Sequence, residues 1–457
     1  MIRKEDTTLH SINPWNLKEI EQFATHPQDQ VEEVLKRLQL RFEQWRTLSV
    51  KERSTHLERV AEVLRSNKRK YAKAITAEMG KPIAEAIAEV EKCAWVCSYY
   101  ADQAEEQLVP RYIETDGSKS FVQYDPLGVI YAIMPWNFPF WQVFRFAAPT
   151  LTAGNTAVLK HAPNVSRCAL LIEEIFLEAG LPSDVFRTVL LDNTAANDLI
   201  KHPLIKAVSL TGSDRAGEAV AATAGKSLKP SLLELGGSNA VIVLADADLK
   251  HAVDTGFKAR FLNSGQSCIA GKRFLLEENI YDDFVAAFLD KMKTLRFADP
   301  MSGDANIGPL ARVDLAEKLE QQVNRSIEMG AQCVAGGKRD GARYEPTVLT
   351  EVSIDMPVFK EETFGPVVPF MKIKDLEEAI SLSNRSSFGL GVSILTGDPE
   401  AILSHATRFD EGAVFINELV KSDPRLPFGG IKRSGYGREL SAEGIHAFVN
   451  AKTVYVR

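Results

Sequence analysis

The first clear pattern along the chain is helical. Val31, Val34, Leu35, Leu38, Phe42 and Trp45 fall on one face of a 3.6-residue repeat, with polar residues between them. Asp29 with Glu32, and Ser49 with Glu52, have capping-box spacing, and Gly80 with Pro82 punctuates a later boundary. Residues 29–100 therefore read as plain structural helices. From Val129 short apolar runs alternate with helical stretches. Strands are expected at Val129–Met134, Ala157–Lys160, Val185–Leu190, Ala207–Leu210, Leu232–Leu235 and Val241–Leu244, with helices at Ser166–Ala179 and Asp214–Ala224 among them. This alternation predicts parallel strands joined by crossover helices, a doubly wound α/β sheet. A second alternating region carries strands near Arg273–Leu276, Val367–Ile373, Gly391–Leu395 and Ala413–Asn417, with helices over 280–296, 311–329, 375–384 and 399–407. The β-branched segments Ser120–Tyr124 and Ala451–Val456 lie outside both units and suit an arm that pairs with a neighbouring subunit.

Open α/β sheets bind ligands beyond the carboxyl ends of their strands. The distinctive residues fall there: Pro135-Trp136-Asn137-Phe138-Pro139, then Lys160, Thr211-Gly212-Ser213 and Glu234-Leu235-Gly236-Gly237. Downstream, Cys268 sits in the polar, glycine-flanked run Asn263-Ser264-Gly265-Gln266-Ser267-Cys268, between a helix-like segment over 249–262 and a strand. Taken singly, Cys268 reads as a packing residue, Asn137 as a turn former and Glu234 as a strand-end acid. Taken together they offer a thiol nucleophile, an amide donor for an oxyanion and a base.

The bulk properties narrow the class. At 457 residues the chain exceeds one ordinary core, so two large domains, or two plus a small one, are expected. A formal charge of −7 argues against nucleic acid as a partner. No apolar run is long enough to span a bilayer, and Met1-Ile2-Arg3-Lys4-Glu5-Asp6 contains no signal-peptide core. Five cysteines make no disulfide framework; Cys93 and Cys97, four apart on a helix without a histidine, read as core rather than metal ligands. The expected compartment is the reducing cytoplasm.

The ordered set Pro135-Trp136-Asn137-Phe138-Pro139, Leu233-Glu234-Leu235-Gly236-Gly237, Gly265-Gln266-Ser267-Cys268, Glu362-Thr363-Phe364-Gly365-Pro366 and Pro427-Phe428-Gly429-Gly430 resembles the aldehyde dehydrogenase superfamily from about Ile12 onward. Within it, Lys160-His161-Ala162-Pro163-Asn164-Val165 and Ser422-Asp423-Pro424-Arg425-Leu426-Pro427-Phe428 are similar to the bacterial succinate-semialdehyde dehydrogenases. The resemblance implies a Rossmann-type cofactor domain over 1–118 and 128–235, a catalytic domain over 236–423, and an oligomerisation arm over 119–127 and 440–457. It implies NAD(P)-dependent oxidation of succinate semialdehyde, or a similar carboxylated aldehyde, through a Cys268 thiohemiacetal and thioester. Asn137 and the Cys268 amide would hold the oxyanion, and Glu234 would activate the hydrolytic water. Trp136, Lys160, Pro163, Gly212, Ser213, Glu362 and Phe364 fall at cofactor positions. A homodimer or homotetramer is implied as well.

Three departures from the family pattern matter. Pro163 stands where many NAD-specific members have a glutamate, which removes repulsion toward a 2′-phosphate and predicts NADP use, with NAD possible. Ala270 replaces a second cysteine, so a redox switch is not expected, and Leu262 replaces an arginine seen six residues before the nucleophile. For the substrate, a helix read over Phe138–Arg145 would place Arg145 on nearly the same face as Asn137, about 12 Å along the axis. Arg145 would then receive a remote carboxylate, with Trp141 and Phe138 as walls and Ser422 as a hydroxyl contact; the competing reading is a structural arginine capped by a carboxylate. Two other functions are open to such a chain: a CoA-acylating aldehyde dehydrogenase, which Glu234 argues against, and a non-catalytic binding or structural relative, which the joint presence of Cys268, Asn137 and Glu234 argues against.

Overall fold

A computed structural model describes residues 8–457. The expectation for Met1–Asp6 lies outside them. Four helices come first: α1 (Gln28–Trp45), α2 (Val50–Ser66), α3 (Lys68–Met79) and α4 (Ile83–Gln107). All six apolar residues of the α1 stripe are buried. The Ser49–Glu52 capping box forms with both reciprocal bonds. The Asp29–Glu32 box does not: α1 starts earlier, after Pro27, with no side-chain cap. Proline supplies the extended entry there, so the helix needs no Asp29 cap. Gly80 closes α3 at φ 80°, where a Cβ would meet Pro309 and Pro14 within 3 Å.

The first sheet has six strands in the order Gly435–Tyr436, Ser231–Glu234, Ile205–Thr211, Val129–Met134, Thr156–His161 and Phe186–Thr188. All neighbours run parallel except Gly435–Tyr436, which returns from late in the chain and pairs antiparallel with Leu233 and Glu234. The second sheet has seven strands, its centre formed by Asn239–Val243, Gly271–Glu277 and Val367–Ile373 in parallel. The central strands of both sheets are buried on both faces, which is why their sequences read as continuous apolar runs rather than alternating ones. Lys119–Pro126 and Val449–Val456 pair with each other over their full length and form a separate three-stranded sheet with Arg111–Tyr112.

The site lies where the two sheets meet, beyond the carboxyl ends of the first sheet's strands. Helix α5 (Trp141–Thr152) follows the Asn137 turn, and helix Leu249–Phe261 leads to the Cys268 loop.

Candidate active site

The Cys268 loop departs from the preceding helix through three consecutive left-handed residues, Asn263, Ser264 and Gly265, at φ 55°, 54° and 75°. A left-handed non-glycine residue costs about 1–2 kcal/mol, so the loop must be held by its surroundings. It is. Ser264 Oγ donates to Gly308 O at 3.0 Å and accepts from Gly308 N at 2.9 Å. Ala311 N donates to Gln266 Oε1 at 2.8 Å, and Asn263 N donates to Glu85 Oε2 at 2.9 Å. Any side chain at Gly265 would strike the Gly365 carbonyl.

The same loop is joined to the Asn137 turn. Asn263 Nδ2 donates to Asn137 O at 2.8 Å, and Asn137 Nδ2 donates to Gln266 O at 3.1 Å. The two segments expected to share the chemistry are therefore locked side by side. One N–H of the Asn137 amide is used in this lock, leaving the other for a ligand.

Asn137 is not part of a helix. α5 begins at Trp141, so the expected shared face of Asn137 and Arg145 does not exist. No local residue caps α5; instead Glu89 Oε1, from α4, accepts from Phe140 N at 2.9 Å and Trp141 N at 3.0 Å. Lys81 pairs with the other Glu89 oxygen and lies 3.8 Å from the centre of the Phe138 ring. Burial pushes the Glu85 carboxyl up to about 7. The helices expected to be purely structural thus send charged side chains into the support of the site. Sequence reasoning missed them because a charged residue on a helix reads as solvated unless its distant partner is known.

Cys268 lines a cleft of about 400 Å³ with Asn137, Trp136, Gly212, Ser213, Glu362 and Phe364. Burial pushes its thiol up to about 11, against the pull of Arg145 and Lys272 toward the thiolate. Lys272 is fully buried and ties the site together: its Nζ donates to Glu362 Oε1 at 2.5 Å, Gly237 O at 2.6 Å and Cys268 O at 3.2 Å. Glu362 also accepts from Gly237 N at 3.0 Å, and a Cβ on Gly236 would come within 2.6 Å of its carboxylate. That close approach explains the Gly236-Gly237 pair.

Glu234 ends its strand buried beside Gly429, where a Cβ would lie 2.7 Å from Oε1. Among the described residues neither of its oxygens is hydrogen-bonded. Burial, and then the nearby Glu439 charge, raise its carboxyl well above the usual range. Arg145 is buried too and is ion-paired with Glu439, while its guanidinium reaches Thr211 Oγ1 at 3.4 Å and stacks over Phe428. The open arginine expected for a substrate is therefore capped by a carboxylate. That partner lies far away in sequence and could not be identified from spacing.

The cleft suits a dinucleotide. Lys160 is buried at the end of its strand, bonded among the described residues to Asn193 Oδ1 at 3.1 Å, and burial lowers it to about 8. A buried cation with no carboxylate bonded to it is costly without an anionic or polar ligand. Ser213 caps the helix Asp214–Lys226 at Ala216 N, and Arg215, also on the cleft and unassigned from the sequence, adds a cation to that first turn. Pro163 opens a short turn beside Lys160, and Trp136 and Phe364 stand edge to face with centroids 5.7 Å apart. Together Lys160, Ser213, Glu362 and the two rings could hold the ends of such a cofactor.

Residues 1–454 match the aldehyde dehydrogenase family. A probable succinate-semialdehyde dehydrogenase (NADP(+)) of Synechocystis is 46% identical over 451 residues, 98% of this chain and 99% of its own. A succinate semialdehyde dehydrogenase (NAD(P)+) of Escherichia coli is 42% identical, with 97% of each chain covered. Among solved structures, a succinic semialdehyde dehydrogenase of Streptococcus pyogenes in complex with NADP+ superposes with a TM-score of 0.96 at 36% identity, covering 98% of this chain and 99% of that one. Fold, ordered motifs and full-length similarity agree: the chain belongs to the aldehyde dehydrogenase family.

Proposed function

We propose that the protein oxidises succinate semialdehyde to succinate with NADP as the preferred acceptor. The observation that carries the chemistry is the lock between the Asn137 turn and the Cys268 loop over one cleft. Cys268, its thiol proton released to solvent, adds through Sγ to the aldehyde carbon; a C–S bond forms, the C=O π pair moves onto oxygen, and the free Asn137 N–H and the Cys268 amide stabilise that oxyanion. A bound nicotinamide supplies the acceptor for the hydride that leaves this adduct. The acyl group then remains on Cys268 as a thioester. Glu234, once ionised, takes a proton from water; the water oxygen attacks the thioester, the C–S bond breaks and the thiol is restored.

The substrate reading is supported by the relatives and by the positive side chains around Trp141. With its Nε paired with Glu439 and its Nη2 turned to Thr211, Arg145 contributes here mainly through its field. The cofactor reading is supported by Pro163 next to Lys160, where no carboxylate is bonded to the lysine and Asp192 acts on it only through its field. The division into cofactor half, catalytic half and arm belongs to the same proposal, as does a dimer or tetramer joined through the arm. The outer strand Val449–Val456 is mostly exposed, and such an edge invites pairing. Five free thiols fit a reducing cytoplasm, and no described helix is long and apolar enough to cross a membrane.

The test is NADPH formation by the purified protein over aldehydes differing in length and terminal charge, with and without CoA. Highest kcat/KM on succinate semialdehyde, unchanged by CoA, is expected. A preference for uncharged aldehydes would overturn the substrate, and a CoA requirement would overturn the hydrolytic step.

A further inference from the structure

Helix α4 also carries a cation that has no anion. Lys92 Nζ donates to Ser422 Oγ at 2.8 Å and lies 4.3 Å from the centre of a Trp141 ring. No carboxylate among the described residues is within ion-pairing distance of it. The nearby acids are engaged elsewhere. Asp423 is held at both oxygens by Arg425, at 2.9 and 2.7 Å. Glu89 is held by Lys81 and by the two amides at the start of α5. Arg145, the other cation here, is neutralised by Glu439. Lys92 is thus the unbalanced charge of this region. Burial, and next the Arg145 charge, lower its ammonium to about 8. An ammonium this desolvated gains most from an anionic partner.

The Arg145 charge acts on both Lys92 and the Cys268 thiol, so the two lie around one arginine. Trp141, under the Lys92 ammonium, adjoins Gln142, which lines the Cys268 cleft, and Phe138, Trp141 and Cys268 pack in one apolar cluster. Lys92 is partly buried rather than enclosed, so a small ligand can reach it. A short aldehyde with a carboxylate at its far end matches this layout: a reacting carbonyl, an apolar stem and a terminal anion.

We propose that Lys92, together with the Ser422 hydroxyl, receives the remote carboxylate of the semialdehyde, with Trp141 as the wall along its stem. This rests on the semialdehyde reading above. It moves the direct charge contact from Arg145, whose charge is already paired with Glu439, to a residue on a helix that reads as purely structural.

The experiment compares kcat/KM for succinate semialdehyde and butanal, with NADP, in the wild type, Lys92→Met and Lys92→Arg. Lys92→Met lowers the value for succinate semialdehyde on the order of 10²-fold, chiefly through KM, as expected for truncating one partner of a buried charge contact. Butanal falls far less, and Lys92→Arg recovers most of the loss. Melting temperature and NADP binding report that the fold is intact. A second readout needs no mutant. The groups facing Lys92 are Glu89 and Cys93 of α4, Arg145 of α5 and Asp423 of the Ser422 loop. The ratio of the two kcat/KM values cancels Cys268 and Glu234, which both substrates require. In the wild type this ratio falls as pH rises through about 8, because Lys92 loses its proton; in Lys92→Arg it stays flat. Equal losses on both substrates in Lys92→Met, or a wild-type ratio that does not change with pH, would overturn the assignment while leaving the semialdehyde reading in place. A wild type that does not favour succinate semialdehyde would overturn both.

Discussion

On one side of Cys268 the polar groups are matched, Asn263 Oδ1 excepted; on the other they are left in conflict. The Asn137–Asn263–Gln266 lock pairs amides with backbone carbonyls at 2.8–3.1 Å, and Ser264, Glu85 and Ala311 hold the strained loop from outside. Across the cleft, Glu234 is buried without a hydrogen bond, beside Glu439 and Arg145. The contrast follows the chemistry. An oxyanion donor must not move, so its neighbours fix it through one N–H and leave the other open. A base must gain and lose a proton near neutral pH, so burial and a like charge shift it upward and leave it titratable.

The comparison is broken most severely at the nucleophile. Cys268→Ala abolishes NADPH formation while NADP binding persists, measured by fluorescence titration, because the thiol acts in chemistry and not in cofactor binding. On the charged side, Glu439→Ala leaves Arg145 buried without its partner and costs about 3–5 kcal/mol of stability in denaturant unfolding. Glu439→Gln is milder and more informative. Removing that charge lowers the Glu234 carboxyl, so the limb of kcat that rises as Glu234 ionises moves to lower pH. On the matched side, Asn137→Ala lowers kcat by about 10²–10³-fold, the effect of losing one oxyanion donor, with no shift of that limb. The smallest effect is at the cofactor: Pro163→Glu moves the ratio of kcat/KM values toward NAD by about 1–3 kcal/mol, through repulsion of a 2′-phosphate.

These two sides were not equally legible in the sequence. The matched side was: Asn-Ser-Gly before Cys268 and proline-flanked Asn137 have side chains and backbones suited to tight turns, and the strand–helix alternation placed Asn137 beyond a strand end. The charged side was not. Glu234 could be named, but Glu439 reaches Arg145 from a segment that folds back onto the first sheet near Gly435, and apolar periodicity does not report such a return. Nor does periodicity identify Glu89 as the cap of α5 or Lys92 as an unpaired cation, since both depend on partners outside α4. The helix expected to begin near Phe138 begins at Trp141, where the Glu89 carboxylate receives its first amides.

The most direct test of a fixed donor facing a titratable base is rapid mixing of Glu234→Gln with NADP and succinate semialdehyde. The account predicts a burst of NADPH matching the number of active sites, then slow turnover, because the thioester forms on Cys268 and is not hydrolysed. Loss of the burst together with the steady state, in a variant that still binds NADP, would contradict it and place Glu234 in the first step instead.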